Sequence, residues 1–391
     1  MPTDPLSWPA IPLAGWADRQ IAALADAAGA QALSALTGAG LLGERAWLNG
    51  FHVPGKVSAG GGCRLLAARD GWVALNLARP DDRDLLPALF GDDALDGDND
   101  DAIAAHVAGV ESLALVARGR EMGLAIAALD EPPPPAPAWQ VAVDGRKRPA
   151  GTRPPLVVDL SALWAGPLAA HLLWLAGAEL VKVESRNRPD SMRDGDPALF
   201  ARLNQGKASV ALDVRDDTDR RRLIALLSRA DIVIEAARPR ALRQLGIDAD
   251  RIVRDAPGLV WMTITGHGAE GEAANWVGFG DDCAVAGGLS AAMLRASGRI
   301  GFVGDAIADP MTGILAGRLA WERWTSGTGA RIILSMSGVV ASAIETEQAA
   351  LDAALKAWAD AEGAPFPAAP VRATGMVRPL GADTARWMAP C

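Results

Sequence analysis

The chain has 391 residues, half of them hydrophobic, enough for two domains with cores of their own. A net charge of −9 argues against a nucleic-acid partner, which normally demands a basic face. No apolar run reaches the length of a membrane span, so no membrane partner is expected either. Cys63, Cys283 and Cys391 stand far apart, without a C-x-x-C pair and with only four histidines beside them, so no metal site is expected. Sparse cysteines suit a reducing compartment. The first twenty residues hold acids and prolines rather than a basic-then-apolar leader, so a cytoplasmic location is expected.

Taken in chain order, residues 17–36 are Ala-rich and read as a helix. Gly60-Gly61-Gly62 precede two short strands, 63–67 and 72–77, around a turn at Asp70-Gly71. Residues 131–138 read E-P-P-P-P-A-P-A, a stiff spacer that cannot pair in a sheet. The richest segment follows. Residues 156–160 form a short apolar strand, Gly166-Pro167 open a nearly all-apolar helix, Gly177 stops it, and 180–183 form a second strand. This is a compact βαβ unit, and the turn after its first strand is where α/β enzymes bind nucleotide-like ligands. The alternation continues with strands at 209–212, 232–234, 259–264 and 332–336. Helices are expected at 217–229, 238–245, 250–255, 283–295, from Asp309 onward and over 338–359. The expected fold is α/β, a doubly wound parallel sheet (Rossmann-like core) with a smaller α+β domain. The expected division is a small domain at 1–130, a Pro-rich linker at 131–150, the core at 151–360 and an extended tail at 361–391.

Five motifs resemble, in order, those of the family III CoA-transferases, the carnitine, bile-acid and formyl-CoA transferase type. D-L-S-x-x-x-A-G-P from Asp159 leads into L-A-G-A-E-L-V-K-V-E ending at Glu184. Asn204-Gln205-Gly206-Lys207 runs into Ser209–Asp213, and Ala230-Asp231 into Ile234-Glu235. A strand ends at Gly266-His267-Gly268, and Ile307-Ala308-Asp309 is followed by Thr312-Gly313. The stretch Ser58–Cys63 with the D-G-W after it is similar to the glycine loop of the family's small domain. In most members that domain comes second; here it comes first, as in a circular permutation.

The resemblance implies a CoA-transferase that moves CoA from an acyl-CoA to a carboxylic acid through an aspartyl-CoA thioester. It implies Asp309 as the catalytic nucleophile, with Asp305 as the second candidate carboxylate. Read from the residues alone, Asp309 before Pro310 is an ordinary helix cap, and the two roles can coexist. Gly60, Gly61 and Gly62 would offer amides to an oxyanion, or serve only as a flexible connector. CoA would contact Leu163, Trp164 and Ala165, Leu212, and the basic Arg186, Arg215 and Arg243, each of which alone reads as a solvated surface charge. Lys207 follows a glycine and is expected to be freer than Lys182 to reach an anion. No permanently bound cofactor is implied; CoA and acyl-CoA are substrates, and a homodimer is implied.

Two alternatives stay open: an acyl-CoA racemase or epimerase of the same family, and a non-catalytic CoA-binding relative. The chain departs from the family at Ala236-Ala237, where many members carry Asn-Phe, at Trp164, and at Phe279, near which the racemases place a histidine. Gly266–Gly271 matches G-x-G-x-x-G, but it does not open the first βαβ and reads as a turn.

Overall fold

A computed structural model describes residues 10–148, 153–237, 239–368, 370 and 372–388. Cys391, Arg238 and the end of the expected linker lie outside them.

The main sheet has seven strands. They are β4 (Trp139–Lys147), β5 (Leu156–Asp159), β6 (Glu179–Ser185), β7 (Ala208–Leu212), β8 (Ile232–Glu235), β9 (Val260–Thr265) and β10 (Thr328–Ser335). Their spatial order is β4-β10-β9-β8-β5-β6-β7, with β4 antiparallel to β10 and every other pair parallel. Buried on both faces, the parallel strands are rich in Val, Ile and Leu. Helices cover both faces. Helix Ala165–Leu175 and helix Ala308–Thr325 pack in one core cluster, helix Asp217–Ser228 and helix Ala249–Asp255 in the other. The chain lays down β6 and β7 on one side of β5 and then β8, β9 and β10 on the other, so the crevice beyond the carboxyl ends of β5 and β8 is the switch point of a doubly wound sheet.

The small sheet is antiparallel: β1 (Cys63–Ala67), β2 (Trp72–Asn76) and β3 (Ala125–Ala128). One face packs on helices Asp100–Ala108 and Ser112–Glu121 through Val73, Leu75, Ile103, Leu115 and Ile126. The other places Cys63, Leu65, Ala74 and Ala127 against Val285, Ala286 and Phe302 of the main body. That second contact holds the glycine loop ahead of β1 close to helix Gly280–Ala286.

Three expectations need correction. Residues 131–150 are not all linker: Trp139–Lys147 is the edge strand β4, whose W-Q-V-A-V alternation fits an edge exposed on one face. The single helix expected at 17–36 is two, Ala14–Ala28 and the short Gln31–Ser34, broken at Gly29, and a further helix, Gly38–Leu48, follows. The first and last of these pack on the main body: Trp16, Ile21, Leu24, Leu41 and Leu42 share a cluster with Leu168, Leu172, Ile314 and Leu319. The helix expected at 283–295 is two helices, Gly280–Ala286 and Leu289–Ser297, broken at Gly287-Gly288. Beyond 360 the chain runs back over the body. Arg372 pairs with Glu44, and Asp383 and Thr384 accept N–H bonds from Ser209 and Ala211 at the sheet edge.

Among the described residues, no single helix is long and apolar enough to cross a membrane.

Candidate active site

The turn after β5 is built on a buried charge pair. Asp159 is fully buried; it accepts the Ser161 amide at 3.0 Å and pairs with Lys207 at 2.7 Å. Burial pushes its pKa up, but Lys207 and Lys182 outweigh that and hold it below the usual carboxylate range. Leu163 then takes a left-handed conformation (φ 67°), with its amide bonded to Asp190 at 3.2 Å. Trp164 is buried, and Ala165 starts the helix.

Asp309 meets this turn. It is half-buried, and its carboxylate accepts the Ala165 N–H. It is not a helix cap: Ile307 occupies that position without a side-chain bond, and Asp309 is the second helical residue. The helix starts one residue earlier than Asp309 because Ala308 is already helical after the Gly304–Ala306 turn. Burial raises the Asp309 pKa from 3.8 to about 7, opposed by Arg45 and assisted by Asp281; the Ala165 amide opposes it and Asp305 adds to it. A carboxyl of this basicity is about half ionised at neutral pH, and its ionised form is a better nucleophile than a solvated carboxylate. Gly280 makes the approach possible, since a Cβ there would clash with the Ala306 carbonyl and the Asp309 carboxylate.

Asp309 is one of three carboxylates around one guanidinium. Burial, with Asp305 next, pushes Asp281 to about 6. Asp305 is fully buried, and both its oxygens are held by Arg45, through Nε at 2.9 Å and through a terminal nitrogen. The second candidate carboxylate is therefore occupied, whereas Asp309 carries no ion pair among the described residues. Arg45 lies over Trp164, 5.2 Å from the ring centroid, and a Cβ on Gly60 would sit 3.1 Å from its guanidinium. Through Arg45 the glycine loop and the β5 turn reach the same corner as Asp309. Gly61 has its amide committed to the Ser58 carbonyl at 2.8 Å.

The other expected residues divide. Arg186, Leu212 and Arg215 gather at the carboxyl ends of β6 and β7, where the Arg186 amide donates to the Leu212 carbonyl at 2.8 Å. The Leu212 side chain points into the core, so only its main chain faces that edge. Arg243 is exposed on helix Pro239–Gln244, which follows β8. Lys207 is not free for an anion: it is buried on Asp159, the Pro167 carbonyl and Asn204. Lys182 is buried too, on the Ser161 carbonyl and Asp190. Sequence reasoning missed Arg45, Asp281 and Gly280. The consecutive acids at 281–282, opening a helix, were the available signal for one; nothing local marks Arg45.

His267, Asp282 and Cys283 bring three metal-type donors within 4.8 Å of one another, fully buried. Their bonds are already made. Asp282 accepts the Phe279 amide and the Asn76 side chain at 3.0 Å each, and Cys283 donates to the Gly266 carbonyl at 3.5 Å. His267 lies edge-on to Trp276, and burial lowers its pKa to about 3.

Residues 155–369 match the family model described as CoA-transferase family III. An acetyl-CoA:oxalate CoA-transferase of Acetobacter aceti is 28% identical over 195 residues, 46% of this chain and 49% of the relative. A succinyl-CoA–D-citramalate CoA-transferase of Chloroflexus aurantiacus is 30% identical over 184 residues, 44% and 46% of the two chains. The crystal structure of Rv3272 from Mycobacterium tuberculosis is 25% identical, with a TM-score of 0.44 over 54% of this chain and 59% of that one. The chain spans about half the length of the curated relatives it matches. The family model takes in every parallel strand of the main sheet, the β5 turn and Asp309, more than half of the sequence, and the chain therefore belongs to CoA-transferase family III.

Proposed function

We propose that this protein transfers CoA from an acyl-CoA to a carboxylic acid, with Asp309 as the nucleophile. The observation that carries this reading is a carboxyl with its pKa raised to about 7 and its oxygen accepting the Ala165 N–H, seated at the switch-point turn of a family III core. The Asp309 carboxylate attacks the acyl-CoA carbonyl, the C–S bond breaks, and CoA leaves as thiolate, leaving an acyl–aspartyl anhydride. The thiolate then attacks the aspartyl carbonyl, the donor acid departs as carboxylate, and Asp309 carries CoA as a thioester. The acceptor carboxylate and the returning thiolate repeat the two steps in reverse, regenerating Asp309. Each intermediate is an activated acyl group, so no step falls far downhill. The amides of Gly60 and Gly62 are candidate donors to the tetrahedral oxyanions. Leu163, Trp164 and Ala165 would hold the pantetheine end of CoA, and Arg186, Arg215 and Arg243 its phosphates.

In this reading, residues 1–130 supply the glycine loop, 131–138 connect it to the edge strand β4, residues 151–360 bind CoA, and the working unit is a homodimer. The test is mass spectrometry of the intact protein after incubation with a panel of acyl-CoAs. An adduct of CoA minus water, absent in Asp309→Asn, is expected. A folded protein that forms no adduct with any donor sinks the reading and favours a non-catalytic relative. Solvent deuterium entering the α-carbon of the acyl group would instead favour the racemase reading.

A further inference from the structure

We propose that Arg45 is a positioning residue for Asp309: without touching substrate, it fixes the turn from which the Asp309 helix springs and supplies positive charge to that carboxyl's surroundings. The inference rests on the reading of Asp309 as nucleophile.

The mechanical path is short. Arg45 grips Asp305 with two donors, Nε at 2.9 Å and a terminal nitrogen, the fork geometry that fixes a carboxylate in orientation as well as position. Asp305 stands between Gly304 at φ 74° and Ala306 at φ 41°. The latter is a conformation that a residue with a Cβ seldom adopts, and it persists only where the surroundings impose it. Here they do. Arg45 holds the carboxylate before Ala306, Asp281 accepts the Ala306 amide at 2.9 Å, and the Ala306 carbonyl receives the Asp309 amide at 2.9 Å. Releasing Arg45 frees one end of a strained turn whose other end is the nucleophile.

The electrostatic path runs beside it. Asp281 from helix Gly280–Ala286, Asp305 from the turn and Arg45 from helix Gly38–Leu48 all act on Asp309, and Cys283 couples to it as well. Two of these groups are anionic; Arg45 opposes them. Arg45 is itself held by the Trp164 ring at 5.2 Å, the Phe51 ring at 6.0 Å and the Cβ-free Gly60. It thus carries the N-terminal helix, the glycine loop and the β5 turn to one point. Were Arg45 only a tether between the N-terminal helix and the body, its removal would cost stability and leave the titration of Asp309 unchanged.

The test is a carbon NMR titration of protein carrying [γ-13C]aspartate, with Asp309 assigned by its disappearance in D309N. In R45Q the Asp309 midpoint is expected to rise by about 1 pH unit or more. R45K keeps the charge and loses the fork, so its midpoint should stay close to wild type while kcat falls at least about tenfold at unchanged KM. If R45Q does not fold, D305N serves: it keeps an acceptor for Arg45, removes one anion, and should lower the midpoint. An unmoved midpoint in the folded R45Q or D305N variant, or wild-type kcat in R45K, overturns the proposal. The titration reads Arg45 whether or not CoA transfer occurs; the CoA adduct reads the transfer itself, so the two failures are distinct.

Discussion

Replacing Asp309 by asparagine should stabilise the protein while abolishing its chemistry. In the native state the carboxyl keeps its proton until about pH 7; in the unfolded chain it loses it near pH 3.9. Between those values the native state binds more protons, so this group's contribution to stability falls as pH rises from about 4 to about 7. A rise from 3.8 to about 7 sets a ceiling of about 4 kcal/mol at 1.36 kcal/mol per pH unit. Relaxation and partial solvation at a half-buried site reduce that to about 1–3 kcal/mol. Asparagine is close in shape, keeps an oxygen for the Ala165 amide and carries no charge beside Asp281 and Asp305. Urea unfolding of both proteins at pH 8 and pH 5 measures the difference. The variant should be more stable by about 1–3 kcal/mol at pH 8, with a smaller advantage at pH 5. CoA adduct formation should vanish. Equal stability at pH 8 would refute the reasoning that an unfavourable charge is stored at this position, and retained turnover would refute the role of Asp309.

The rate of transfer should climb about tenfold per pH unit below 7 and level off above it, since only the ionised carboxylate attacks; a profile flat from pH 5 to 8 would contradict this. Gly60→Ala crowds the Arg45 guanidinium and should slow adduct formation at least about tenfold, with less than about 1 kcal/mol lost in urea unfolding. Gly61→Val, at φ 77°, should cost about 1–2 kcal/mol of stability whatever its effect on rate, because valine must be forced into the left-handed region. Lys207→Met strands the buried Asp159 charge and should cost about 3–5 kcal/mol in the same assay. A folded, stable Lys207→Met with a raised KM for acyl-CoA would return Lys207 to the role of anion ligand.

Most of the sheet was legible because buried parallel strands announce themselves as short runs of Val, Ile and Leu between helices of clear period. Trp139–Lys147 was not, because the prolines before it masked an edge strand that alternates on one face only. Helices such as Asp100–Ala108 and Pro197–Asn204 went unread; they are short, and packing rather than propensity keeps them formed. At the site, Asp309 and the β5 turn carried a local signature. Arg45 carried none: its meaning lies in a carboxylate 260 residues away, and pairings at that distance leave no periodic trace in a single sequence. Lys207 misled for a related reason. Its glycine suggested freedom, while the buried Asp159 that captures it lies 48 positions upstream.

The same 260-residue separation has a consequence for synthesis. Helix Gly38–Leu48 leaves the ribosome long before the turn it must grip, and at about 5–20 residues per second it waits about 13–50 s for Asp305. During that interval Leu41, Leu42 and the apolar face of helix Ala14–Ala28 lack Ile314 and Leu319, which share their cluster in the finished fold. Nascent chains of this protein should therefore lean on holding chaperones more heavily than the stability of the finished fold suggests, and slowing translation should lower the yield of soluble protein.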